Sequence, residues 1–585
     1  MSRLGSIDWC CMPYLDSPSC FAEFLDSAKG GKFQLMPAGD FRSEQRYLQR
    51  TNVLETLFET PQGSGVIIDW MPLENSQNDS PPVICRQIEI IEGTMNWTLI
   101  CAPRFNYAKS DTTAEVYREG ILFRSTDCDA IATLYSSVPV QRAPDGRSAT
   151  AHFQLVAGEK AKFTWSFGRM TSHPKFHDPK LTSANWQAWA HRCPDTGCAF
   201  AGPWHDSIAR SGLTLKLLTS RFSGAIAESI TTSVPITVGS AETWDYRYSW
   251  IRNSAMMIQA LANLGYRQEC KDHFSWLMNI VRRDGALGLR SVYTLDGGPL
   301  APERELSHLA GYKNSKPVRI SNDSSHSFQL DIYGHILMAA AEYFKIFGEL
   351  PEDSWPALSE IAEMICHSWR RPDQGPWEVR SQAEHFTVSK IMCWVALDRA
   401  SWLARVTGQP GSPRWAAEAQ ILHKTICSQG FDKKQNSFIR SFGSTAIDPL
   451  MLLIPLVRFL PIDDPRVQGT IHLIQNQKHQ STSLVASFLL ASCFALSGQV
   501  DEASDQLAEL CSLATPLGFF TEQVDIERGQ SSGNIPYAPA HVACINTALY
   551  IGMARGRQVP LKRLIGMPDQ ISAQNHARSS LYGLE

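Results

Sequence analysis

The apolar residues of this chain follow one rhythm up to about residue 200 and another after Trp244, and that change of period most limits the fold. In the first part Val66-Ile67-Ile68-Asp69-Trp70-Met71-Pro72 is a short apolar run. Alternating segments follow at Val83–Glu92, Trp97–Pro103, Ala114–Arg118 and Phe153–Ala157, separated by Gly, Pro, Asn and Asp clusters. Many short strands with such turns predict a β-sandwich or barrel. Trp204 to Gly239 reads as a connecting segment. Beyond Trp244 the apolar residues recur at helical spacing in Trp250–Leu264, His273–Val281, Phe328–Phe347, Trp355–Trp369, Phe386–Val406, Trp415–Ser428, Ser483–Leu496, Glu502–Leu513 and His541–Met553. That predicts a large all-α region of roughly a dozen helices. At 585 residues the chain exceeds one ordinary core, so two domains are expected.

Charge excludes some partners. The formal net charge is −4, with no basic block and no acidic tail, so no nucleic-acid partner is expected. No run of about 18 apolar residues exists, so no membrane span is expected. Met1–Trp9 carries one basic residue and no apolar core of a signal peptide, which leads to the expectation of a cytoplasmic protein. The 15 cysteines form no CxxC pairs and no Cys/His ligand clusters, so they read as reduced, mostly buried thiols. Sequons at Asn78, Asn96 and Asn322 carry little weight without a signal. No metal-ligand spacing stands out, and neither a metal nor a cofactor is expected.

Three stretches carry residues suited to chemistry. Thr243-Trp244-Asp245-Tyr246-Arg247-Tyr248-Ser249-Trp250-Ile251-Arg252-Asn253 combines flat aromatic faces with groups that hydrogen-bond hydroxyls, as a carbohydrate site requires. Its plain alternative is a helix start with core aromatics and internal ion pairs. Gly375-Pro376-Trp377-Glu378 places an acid beside Trp in a loop that opens a long helix, where desolvation raises a carboxyl pKa as a general acid needs. The alternative is a first-turn Glu favoured by the helix dipole. Gly518-Phe519-Phe520-Thr521-Glu522-Gln523-Val524-Asp525, with Gly533-Asn534-Ile535-Pro536 and His541, sets two acids in a loop, either to activate water or simply solvated. Glycoside hydrolysis needs two carboxyls facing each other across one bond.

Taken in order, these blocks resemble the family-15 glycoside hydrolases of bacterial type. Trp244–Asn253 is similar to that family's barrel-entry motif. Pro302–Leu306, His308-Leu309, Gly311-Tyr312, Pro317–Ile320 and Gln329–Gly334 are similar to its next block. Trp377–Arg380 with His385–Thr387 and Trp394–Ala400 resembles the block of its general acid, and Thr521–Asp525 with Gly533-Asn534 and Pro536 that of its general base. Gly5–Trp9 with Asp16–Pro18 resembles its N-terminal sandwich. The resemblance implies an antiparallel β-sandwich at 1–205, a linker at 206–239 and an all-α (α/α)6 barrel at 240–575. It implies an inverting, exo-acting α-glucoside hydrolase of the glucoamylase or trehalase kind, with Glu378 as general acid and Glu522 as general base. Arg252, Arg319 and Trp377 would hold the terminal sugar, Trp244, Arg247, Trp250 and His541 would shape the pocket, and no metal is needed. The partner expected is a small molecule, an oligosaccharide, disaccharide or natural product; oligomeric state is left open.

This chain departs from the pattern in two places. Asn253 stands where the family has Asp, and His335 where it more often has Glu. Asn keeps an acceptor but loses the charge. A charged hydrogen bond is worth roughly 1.5–3 kcal/mol against about 0.5–1.5 for a neutral one, so sugar holding would weaken by about tenfold or more. Two alternatives therefore stand beside the hydrolase. One is non-hydrolytic acid/base catalysis on a natural product, as in a cyclase, dehydratase or isomerase, which predicts a more apolar cavity. The other is an inactive sugar-binding protein.

Overall fold

The structure, a computed structural model, describes residues 1–73, 82–117, 120–168, 177–191, 197–377, 382–476, 482–525 and 530–557; Asn78 and Arg118 fall outside them. The first part is an antiparallel sandwich whose two sheets share one strand. Val83–Ala102 runs for 20 residues. Its first half pairs with Gly63–Trp70 and Lys160–Phe167, its second with Lys32–Pro37 and Ala149–Val156. The alternation at Val83–Glu92 and Trp97–Pro103 thus belongs to one strand. Three exposed residues, Ile91, Glu92 and Gly93, interrupt it where the strand passes from one sheet to the other. The larger sheet extends through Leu54–Thr60 to Arg42–Tyr47 and, on its other side, through Ile131–Ser136 to Thr112–Tyr117. Phe33, Phe58, Ile67, Trp97, Phe123 and Trp165 fill the space between the sheets, the non-directional term that holds a sandwich together.

The chain then passes through α1 (Pro179–Trp189) into α2 (His205–Leu218) and an alternating helical array. The array comprises α3 (Ser254–Asn263), α4 (Arg267–Gly288), α5 (Asp331–Phe347), α6 (Ser354–Ser368), α7 (Thr387–Thr407) and α8 (Pro413–Gln429). It continues through α9 (Leu453–Leu456), α10 (Pro465–Asn476), α11 (Leu484–Leu496), α12 (Val500–Ser512) and α13 (Ala538–Ala554). Inside lies a closed ring of α3, α5, α7, α9 with its preceding turn Pro449–Leu452, α11 and α13, with α13 returning to α3. The other helices from α2 onward pack outside it, so the helical part is an (α/α)6 barrel. The stretch 206–239, expected as a connection, is itself packed: Ile208, Leu215, Leu218 and Ile226 share one apolar cluster with the ring helices.

Inner and outer helices differ in sequence for a physical reason. An inner helix is covered on nearly every side, so α13 is apolar almost throughout, whereas outer α12 buries only a stripe, Ala503, Leu507 and Leu510. Starts and stops are chemically marked. Ser412 caps α8 ahead of Pro413, and Asp448 caps the turn that begins with Pro449. Among the described residues no helix is long and apolar enough to cross a membrane.

The sandwich grips the barrel through the N-terminal motif. The Trp9 indole donates to Ile230 O at 2.7 Å, and Leu295 N donates to Asp16 Oδ2 at 2.9 Å. At the centre of this seam Arg247, fully buried, donates to Asp245 at 2.7 and 2.9 Å, to Ser17 O at 2.8 Å and to the Tyr107 hydroxyl at 2.9 Å. Removing one partner of a buried pair strands the other charge, which costs about 3–5 kcal/mol. Arg247→Ala is therefore expected to lower the thermal midpoint sharply, while Asp245→Asn combined with Arg247→Met recovers most of the loss. Differential scanning calorimetry of the three proteins checks this.

Candidate active site

Every inner helix is entered from the same end of the barrel, so the segments that precede them converge. Hydrogen bonds show the meeting: Arg252, before α3, donates to Pro376 O, before α7, and to Gln329 Oε1, before α5. Thr482-Ser483, before α11, pair with Gln523-Val524, before α13. The blocks picked out in the sequence are these entry segments.

The aromatic stretch is not the start of a helix. Its backbone is extended, with the carbonyls of Trp244, Tyr246 and Tyr248 accepting from the N–H groups of Ser233, Ser229 and Glu228. Ser249-Trp250 then pair with Val292-Tyr293, Ile251–Asn253 form a 3₁₀ turn, and α3 begins only at Ser254. Side chains alternate along an extended chain. Asp245 and Arg247 accordingly turn to the sandwich, while Tyr246 turns to Glu522, its hydroxyl 3.4 Å from Oε1. Arg247 is thus spent on the domain seam rather than on a pocket. Trp250 is buried with Tyr248, Val292 and Leu300 and meets Tyr246 edge-on at 5.4 Å. Trp244 lies under the Arg319 guanidinium, 4.6 Å away, and Arg319 is further held by Glu303 at 3.1 Å and by the carbonyls of Ala241 and Thr243.

Glu522 occupies an unusual environment. Burial pushes its pKa up to about 7; the Asn534 N–H and the Tyr246 hydroxyl oppose the shift, and the carboxylate of Glu242 adds to it. Gly533 has φ +83°, and a Cβ there would lie 2.6 Å from the Cβ of Glu522, so only glycine lets the loop fold over this side chain. Asn534 ties that loop down, donating to Trp244 O and accepting from the Thr231 hydroxyl. His541 is fully buried; its Nε2 accepts from Phe520 N–H at 3.1 Å and its Nδ1 meets Ser211 Oγ at 2.9 Å. Burial, aided by Arg210, drops its pKa to about 3, so it stays neutral and anchors the backbone just ahead of Glu522.

Glu378, with Val379 and Arg380, lies outside the described residues. Its neighbour Trp377 is 48% exposed, its indole N–H donating at 2.7 Å to Asp448 Oδ2. Asp448 is buried, and burial raises its pKa. A second group surrounds Arg252: its Nε stands 3.7 Å from Asp331 Oδ2, which is also 3.8 Å from His335 Nε2. Burial and the guanidinium lower His335 to about 3, leaving a neutral ring beside one carboxyl and one guanidinium. Asn253 donates from Nδ2 to Glu228 Oε1 at 2.5 Å, and Glu228 is 3% exposed. A carboxyl therefore stands beside position 253, on a different residue. Behind Arg252 and Asn253 lies a cavity of about 100 Å³ whose wall is mostly apolar, including Met256, Val485, Leu489 and Val542.

Sequence reasoning did not single out Glu228, Asp448, Asp331 or Tyr246 as site residues. Asp448 had a readable signal, an Asp-Pro helix start; Glu228 had none, because its role depends on a neighbour 25 positions away.

Known proteins share this design. Residues 202–492 match the family model described as glycosyl hydrolases family 15, and residues 3–171 match the one described as trehalase-like, N-terminal. The chain is 32% identical to a trehalase of Mycolicibacterium smegmatis over 94% of its own length and 89% of the relative's. Against a trehalase of Mycobacterium tuberculosis it is also 32% identical, over 94% and 87%. A bacterial glucoamylase solved with acarbose superposes with a TM-score of 0.71 at 13% identity, covering 98% of this chain and 93% of that one, which is a likeness of fold.

The Asn253–Glu228 pair yields a prediction. Asn253→Asp sets a half-buried carboxyl beside the buried one of Glu228, which favours uptake of a proton by one of them. The substitution alone is expected to lower the thermal midpoint at pH 7 by about 1–3 °C, roughly the effect of 1–2 kcal/mol. Combining it with Glu228→Gln is expected to restore most of that loss, which differential scanning fluorimetry reads directly.

Proposed function

The chain belongs to the family 15 glycosyl hydrolases, and from that footing we propose that it is an inverting, exo-acting α-glucoside hydrolase whose first substrate to test is trehalose. The observation that carries this reading is Glu522, a carboxyl raised to about 7 beside the Tyr246 hydroxyl and among aromatic rings at the barrel mouth. A base with a pKa near the working pH is partly ionised yet still strong enough to draw a proton from water. The names of the relatives supply the choice of trehalose over other α-glucosides.

In the proposed reaction, water attacks the anomeric carbon of the terminal glucose as the bond from that carbon to the glycosidic oxygen breaks. Glu522 takes the proton of the attacking water, and Glu378 gives one to the departing oxygen. Trp377 offers its exposed face to a sugar ring, held by Asp448. Arg252 is fixed by Pro376, Gln329 and Asp331, so the donors it directs to hydroxyls need no reorganisation on binding. Inversion from trehalose releases one β-glucose and one α-glucose.

A second reading has one observation in its favour. The cavity behind Arg252 and Asn253 is mostly apolar, as expected if the same acid and base act without hydrolysis on a hydrophobic natural product.

Glucose release from trehalose, maltose, isomaltose and soluble starch separates the two. Wild type is expected to act on at least one of them, with Glu378→Gln and Glu522→Gln each reducing turnover by about 10²–10⁴-fold, and NMR of the fresh product is expected to show the β-anomer. Folded protein that releases glucose from none of them defeats the hydrolase reading and favours the second.

The pH profile is a separate check. Glu522 must be ionised to act as base, so kcat/KM is expected to rise with pH through a midpoint of about 7. Tyr246 lowers that pKa, so Tyr246→Phe shifts the limb to higher pH. Glu242 raises it, so Glu242→Gln shifts the limb to lower pH. Shifts of opposite sign in the two variants are the expected result.

A further inference from the structure

Far from the mouth of the barrel, His191, Cys198 and His205 come together between the end of α1 and the start of α2. Their ligand atoms all lie within 4.8 Å of one another. Residues seven positions apart leave no recognisable ligand spacing in the sequence, which is why the cysteine pattern pointed to no metal. We propose that these three side chains form a zinc site that staples the α1–α2 connection to the base of the barrel.

The donor geometry supports this. His191 Nδ1 lies 3.3 Å from Leu264 O. A carbonyl only accepts, so Nδ1 carries the proton and Nε2 keeps its lone pair free on the other side of the ring. That second nitrogen is 3.4 Å from Cys198 Sγ. A backbone carbonyl holding one imidazole nitrogen while the other faces a ligand is the arrangement found around metal-binding histidines. With Zn–S of about 2.3 Å and Zn–N of about 2.0–2.1 Å, a tetrahedral ion holds sulfur and nitrogen roughly 3.6 Å apart. The Nε2–Sγ pair, 3.4 Å apart, already has that spacing, and the ligand atoms all lie within 4.8 Å of one another, about 1 Å beyond it. A simple thiol–imidazole hydrogen bond would involve only His191 and Cys198, whereas the ligand atoms of all three side chains converge. One thiolate and two imidazoles suit Zn²⁺ better than the hard cations, which prefer oxygen. Three protein ligands leave the fourth position to water.

Position argues for a structural role. α3 (Ser254–Asn263) begins just after Asn253 at the mouth and ends just before Leu264, so its 10 residues separate the cluster from the mouth by about 15 Å. The connection is already pressed against the barrel base. The His191 N–H donates to the Tyr266 hydroxyl at 2.9 Å, and a Cβ on Gly552, in the last turns of α13, would meet Ala199 O at 2.3 Å. On binding, the Cys198 thiol releases its proton to solvent and the imidazoles bind neutral, so affinity falls as pH is lowered.

Zinc content of the full chain, purified without chelator and measured by plasma mass spectrometry, is the test, with Cys193, which lies outside the described residues, left intact in every variant. About one zinc per chain is expected, falling at least tenfold in Cys198→Ser and in His205→Ala. Independently of how those variants fold, the wild-type protein supplies a second arm: chelated and then titrated with Zn²⁺, it should show Cys198 protected from iodoacetamide at one equivalent and a raised thermal midpoint. Zinc retained by both variants, or a wild type that binds none and alkylates Cys198 equally with and without Zn²⁺, overturns the proposal.

Discussion

The buried pair of Asp245 and Arg247 is the interaction on which the arrangement of the mouth depends. Arg247 reaches Ser17 and Tyr107 in the sandwich, while Asp245 Oδ2 also accepts from Ser321 N–H at 3.0 Å, in the loop that leads into α5. One ion pair thereby joins the sandwich, the extended segment before α3 and the segment before α5. Because that segment alternates, fixing 245 and 247 on one face fixes Tyr246 on the other. The residue that touches Glu522 is aimed by residues that never reach it. A buried ion pair contributes little net stability over a well-packed apolar substitute. Its contribution here is to orientation.

The barrel does the rest by topology. Alternating outer and inner helices bring every inner N-terminus to one end, so residues as far apart as Arg252, Gln329 and Pro376 become neighbours. The same alternation sends the ends of α3 and α13 to the opposite face, where His191, Cys198 and His205 meet. A single rule of connection thus separates the two groups of chemically able side chains, one at each end.

The two departures from the family pattern share a logic of charge. Around Arg252, His335 is neutral, so one guanidinium faces one buried carboxyl, Asp331. A second carboxyl at 335 would add a buried negative charge with no further cation within the Arg252–Asp331 contact. At 253 the amide spares Glu228 a like-charged neighbour and holds it at 2.5 Å. Each replacement is understood through a partner from another part of the chain.

Much of this molecule was legible in its residues. Period-2 and period-3.6 patterns reflect which side chains a strand or a helix must bury, and local chemistry alone located some of the sandwich strands and most barrel helices. The entry motifs were visible as aromatic and acidic clusters, and Glu522 stood out among them. Short or atypical elements were not: α9 has only 4 residues, too few for a period, and the 20-residue strand looked like two because its exposed residues mark a change of sheet. The direction in which side chains point was also hidden. Arg247 and Tyr246 belong to one motif yet serve opposite faces, and His541, next to the Glu522 loop, supports backbone. Sequence by itself determined which segments are apolar enough to form each element and which carry chemistry. Only the tertiary structure decided which of those groups meet, because the closeness of Arg252 to Gln329 and Pro376 arises from the convergence of the inner-helix entries and not from separation along the chain.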